Sequence, residues 1–129
     1  MHGRIIHLVD DAWKIHALFN VITGTWPLVH MRSFEAVSGP KTDRWLVKAV
    51  SAFIVVVGVV IACAGRGNRI TPETVVLAVD TSASLAAVDV VYVARGRISR
   101  VYLLDALAEV LLIAGWLVRE WKAGGGTRA

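Results

Sequence analysis

The side chains able to do chemistry in this chain are acids set inside apolar runs. Asp80 and Asp89 lie in TVVLAVDTSASLAAVDVVYVAR at 74–95, and Asp105 and Glu109 in RVYLLDALAEVLLIAGWLVREW at 100–121. An acid in a run long enough to cross a bilayer is costly unless it is paired or faces water. Such a group can pair with a cation and hold helices in register, act as a general acid or base, or pass protons or ions. His16, Asn20, Lys48 and Tyr92 are the polar side chains within reach of the same interior and complete the candidate set.

Helix geometry sorts these groups by depth, at about 1.5 Å per residue. Counted from the side of the 30–44 and 96–99 loops, Asp89, Asp105 and Lys48 all fall at roughly 8–9 Å. Lys48 is the counter-charge this predicts for the acid pair, since two nearby carboxylates in a low dielectric do not both stay ionised without a cation. Asn20 and Glu109 fall near the midplane at about 14–15 Å, and Asp80 and His16 at roughly 20 Å. Ser82, Ala86, Asp89 and Tyr92 share one face of the 74–95 helix, with Asp80 pointing about 180° away from Asp89. That helix, rich in small residues (Ala78, Thr81, Ser82, Ala83, Ser84, Ala86, Ala87), is expected to be central and most buried.

No metal and no cofactor is expected. His16 has no second His or Cys spaced to join it, and Ser, His and acid residues are too scattered for a nucleophilic triad. There is no phosphate loop, dinucleotide fingerprint or HExxH. The single cysteine, Cys63, excludes an intrachain disulfide and CxxC chemistry and reads as a packed thiol.

The elements that must position these groups are four membrane spans. The 129 residues are 56% hydrophobic and 19% charged, against about 25% charged in a soluble domain, and the mean hydropathy is +0.61. The net charge of +4 and pI near 9.7 do not imply nucleic acid, because Lys and Arg cluster between apolar runs, where membrane proteins keep them. No secretory signal is read at the N-terminus.

The spans are predicted at about 5–29, 45–64, 74–95 and 100–119. In the first, Asp10 and Lys14 are placed to pair, Trp13, His16, Ala17, Asn20 and Gly24 form a polar stripe, and Trp26-Pro27 close the helix; a helix lying in the membrane plane is the alternative. A short interfacial helix capped by Ser33 follows. Thr42 or Asp43 caps the second span, Thr71-Pro72-Glu73 starts the third, and Ser99 caps the fourth. Tyr102, Trp116 and Trp121 read as interface anchors. Residues 1–122 form one domain, and 123–129 are expected to be a flexible tail. The fold class is all-α: an integral membrane four-helix bundle with both termini on one side. Seven Lys and Arg fall on each side, so the charge rule does not orient the bundle. The termini are assigned to the cytoplasm.

Two stretches, HMRSFEAVSGPKTDRWLVKAV at 30–50 and AAVDVVYVARGRISRVYLLDALAE at 86–109, resemble small uncharacterised four-helix bacterial inner-membrane proteins, distantly DoxX-like. The resemblance covers about a third of the chain and implies a multi-pass inner-membrane location. It draws attention to Asp89, Asp105, Glu109 and the turn at 39–43, without assigning any of them a reaction. The function expected is a non-enzymatic membrane component, an accessory subunit or small hydrophobic-ligand binder held by a buried acid–base network. The alternatives are a lipid or isoprenoid enzyme using the intramembrane carboxylates, with His16 as partner, and a proton- or ion-coupled transport subunit. Expected partners are the bilayer, with a hydrophobic ligand, a membrane protein or a further copy of the chain as alternatives, and no nucleic acid.

Overall fold

A computed structural model describes residues 11–128, with side chains described for 11–122. Those residues form five helices and no strand: α1 (Ala12–Val29), α2 (Met31–Ser38), α3 (Arg44–Arg66), α4 (Pro72–Ala94) and α5 (Tyr102–Arg128). The fold is all-α. α3 and α4 are each long and apolar enough to cross a membrane, and only 17% of the most apolar window of each is buried.

Local chemistry explains three of the five helix starts. The Thr71 hydroxyl accepts the Thr74 N–H at 3.3 Å, Pro72 opens α4 where no N–H is needed, and Glu73 adds an acid to the positive end. The Ser99 hydroxyl accepts the Val101 N–H just ahead of α5. Four details depart from the sequence expectation. The cap of α2 is His30, whose ring accepts the Ser33 N–H, and not Ser33. Asp43 occupies the cap position of α3 without a side-chain hydrogen bond. Pro27 lies inside α1, which runs on to Val29; so close to the end, the missing N–H removes only one bond. The backbone of α5 stays helical through the glycines at 124–126, extending a helix already nucleated upstream. The expected Asp10–Lys14 pair, like residues 5–10 of the first span, lies outside the described residues; Lys14 pairs with Asp11 at 3.4 Å.

The helices form two tight antiparallel pairs, α1 with α3 and α4 with α5; α1 also touches α5, whereas α3 and α4 meet sparsely. Glycine sets the first pair. A Cβ on Gly24 would sit 2.8 Å from Val55 Cγ2 and 2.9 Å from the Ser51 carbonyl, and one on Gly58 would sit 2.9 Å from Asn20 Cβ. One on Gly65 would enter the Trp13 ring. Small residues thus let α1 and α3 approach closely. The most buried helix is therefore α1, with Ala12, His16, Ala17, Asn20, Gly24 and Pro27 inside. α4 was expected to hold that place but buries only Ala78, Ser82 and Asp89, because its small residues Ala83, Ser84 and Ala87 face outward.

The burial pattern inverts that of a water-soluble bundle. Large apolar side chains such as Leu18, Phe53, Val56, Leu104 and Leu111 are exposed, while His16, Asn20, Ser82, Asp89 and Glu109 are buried. Cys63 also faces outward near the end of α3 and is not the packed thiol that the sequence suggests.

A candidate polar site in the bundle interior

Three helices contribute to one buried polar row. On α1, His16 and Asn20 are a turn apart on the inward face; on α4, Ser82 and Asp89 are two turns apart; on α5, Asp105, Glu109 and Trp116 share a face. The row is anchored at His16, which has no exposed surface. Trp116 Nε1 donates to His16 Nδ1 at 2.9 Å, and His16 Nε2 lies 3.3 Å from the Ser82 hydroxyl. With Nδ1 accepting, the imidazole proton is on Nε2, so the ring donates to Ser82 Oγ. One side chain thereby ties α1, α4 and α5 together, and its ring meets that of Trp116 edge-on at 6.3 Å.

Above this anchor Ser82 lies against Glu109, and Asp89 faces both Asp105 and Glu109. Asp89 is 6% exposed and Glu109 1%, whereas Asp105 is half-buried at the rim. Asp89 Oδ2, Glu109 Oε2 and both polar atoms of the Asn20 side chain have no hydrogen-bond partner among the described residues. Buried polar atoms are normally paired, so this unfinished bonding sets the row apart from an ordinary helix interface.

Among the described residues no cation pairs with these acids. Lys48 is exposed on α3 and forms no ion pair among the described residues, correcting the layer that equal depth predicts. The depth was shared but α3 packs on α1, so Lys48 is not carried to the α4–α5 seam. One cation at this end of the bundle is Lys41, in the 39–43 turn. Its ammonium sits 4.8 Å from the centre of the Tyr102 ring, one turn from Asp105, and donates to the Ser38 carbonyl at 3.0 Å. Arg44 Nε pairs with Glu35 at 2.9 Å, and the same Glu35 accepts the Lys41 N–H, bracing that turn.

Asp80 and Tyr92 stand apart from the row. Asp80 is exposed and does not join His16. Two residues along a helix turn the side chain by about 200°, so with Ser82 facing inward Asp80 points out. It lines an open groove of about 450 Å³ between α3 and α4, together with Phe53, Ile54 and Ser84. Tyr92 is exposed on α4 beside Arg95. Trp116 is a site residue that reading it as an interface anchor missed. Its spacing carried the signal, since eleven residues from Asp105 is nearly a whole number of turns and places the indole on the acids' face. Among the described residues no three His, Cys, Asp or Glu side chains converge as a metal site would need.

Compared with protein-family models, curated proteins and solved structures, the chain matches none.

Proposed function

We propose that the chain is an integral membrane bundle of four spans, α1, α3, α4 and α5. It lies in a bacterial inner membrane with both termini on the cytoplasmic side and serves as a non-catalytic subunit. The polar row holds its helices in register. The observation that carries this reading is His16: wholly buried, bonded to one residue on α4 and one on α5, in a bundle whose large apolar side chains face outward. Lipid supplies no hydrophobic drive between helices, so buried hydrogen bonds and close small-residue contact must hold them. α1 provides 18 described residues, roughly 27 Å of helix, against a hydrocarbon thickness of about 30 Å.

A subunit role is favoured over an enzyme or ligand binder because the row opens into neither groove described. One groove, on α1, is lined by residues such as Val21, Ile22, Trp26 and Val29; the other lies between α3 and α4. The test is membrane extraction and site-specific labelling. The chain resists alkaline carbonate, and cysteines introduced at Lys41 and Asn68 label from opposite faces. Release by carbonate, or labelling of both positions from one face, would rule the four-span reading out.

One observation favours a second reading, proton- or ion-coupled transport. Asp89 and Glu109 are buried, each with an oxygen that has no partner and with no cation paired to it among the described residues, in a row that continues through Ser82 to His16. Proteoliposomes holding the chain alone would then dissipate a pH gradient, and Glu109→Gln would stop them.

A further inference from the structure

The second groove has a chemistry that the interior row does not explain. Where α3 and α4 diverge, Phe53, Ile54 and Val57 form one wall, and Asp80, Thr81 and Ser84 the other. Asp80 lies eight residues into a helix of 23, roughly 12 Å from its start, and is exposed. Its short side chain cannot snorkel to the headgroups as a lysine would. It makes no ion pair among the described residues. A carboxylate so placed is held at a cost in lipid unless a cation covers it.

Among the described residues of a second copy, no free cation lies at that depth: Lys14 and Arg119 are engaged with Asp11 and Glu120, Arg66 and Arg69 lie at the α3–α4 turn roughly 12 Å beyond it, and Lys48 lies at the opposite end of the bundle from Asp80. We propose that the α3–α4 groove docks a membrane-spanning helix of a partner protein carrying a lysine or arginine within its span, with Asp80 as counter-charge. Ser84, one turn beyond Asp80 on the same exposed face, adds an acceptor for the ammonium or guanidinium. Outward-facing Ala83 and Ala87 let the partner backbone approach closely. This rests on the membrane reading above and names the kind of partner a subunit would serve.

The test uses the full chain, fluorescently labelled, in phosphatidylcholine vesicles with a leucine-rich single-span peptide bearing one lysine a third of the way across. Energy transfer to that peptide should exceed transfer to its all-leucine control by roughly tenfold in apparent affinity. Asp80→Asn should erase the difference, Asp80→Glu should keep it, and Ser84→Ala should weaken it a few-fold. Because Asp80 and Ser84 face outward, thermal unfolding should not move in these variants. Equal binding of both peptides, or an undiminished difference in Asp80→Asn, would overturn the proposal. So would transfer between two labelled copies that depends on Asp80, which would give the groove to self-association. Carbonate extraction of the same vesicles separates this failure from failure of the four-span reading.

Discussion

Replacing glycine by alanine at three positions should have unequal effects on stability, for a reason visible in the helix spacing. At Gly58 the added Cβ would lie 2.9 Å from Asn20 Cβ and 3.1 Å from both the Ala17 carbonyl oxygen and Val21 Cγ2. At Gly24 it would lie 2.9 Å from the Ser51 carbonyl oxygen. Two of these neighbours are backbone and cannot swing away, so α1 and α3 must separate by roughly half an ångström to reach ordinary contact. Overpacking of this kind costs about 1–3 kcal/mol. At Gly115 the nearest atom is Ala12 Cβ at 3.8 Å, an ordinary contact, so the new methyl is accommodated. Any gain in helix propensity, up to about 1 kcal/mol, is common to all three substitutions and cancels in the comparison. Gly24→Ala and Gly58→Ala should therefore each be about 1–3 kcal/mol less stable than Gly115→Ala, measured by denaturant titration in mixed micelles with helicity as the signal. If all three variants shift together, α1 and α3 do not pack through these glycines and the arrangement is wrong.

Three further outcomes follow from the interior row. His16→Leu strands the Trp116 Nε1–H and the Ser82 hydroxyl, and should lower stability by about 2–4 kcal/mol in the same titration; a double-mutant cycle with Trp116→Phe should show coupling of about 1 kcal/mol. Asp89→Asn and Glu109→Gln remove buried acids that pair with no cation among the described residues, so each should be neutral or stabilising by about 1 kcal/mol; a loss above about 2 kcal/mol would point to an ion pair. Lys48→Met should change stability by no more than about 0.5 kcal/mol, as expected of an exposed side chain outside any network.

How far the amino-acid sequence discloses this molecule depends on whether a property is local. The Thr71-Pro72-Glu73 start, the cap by Ser99, and the spacing that puts Ser82 with Asp89 and Asp105 with Glu109 are set within one helix and can be read from residue order. Depth along an axis is legible in the same way: His16 does meet α4 within two residues of Asp80. What periodicity does not carry is which helix each face meets. Lys48 sits at the depth of the acids but on a helix that packs against α1, and Asp80 is at the right level on the wrong side. The charged start and half-polar composition of α1 suggest a marginal span. Yet Gly24 on α1, with Gly58 and Gly65 on α3, lets the two helices pack closely. Trp116 departs from the sequence reading for a related reason: indoles near helix ends usually sit at the interface, and only the acids two and three turns up its face mark it as interior.

The bond between His16 and Trp116 joins residues 100 apart in the chain. At a synthesis rate of about 5–20 residues per second, the tryptophan follows the histidine by roughly 5–20 s. For that time the first helix pair carries a histidine whose partner on the last helix does not yet exist. The bundle is thus complete only when its final helix arrives. A chain truncated before Trp116 should be degraded faster than the full chain, although both of its most apolar segments are intact.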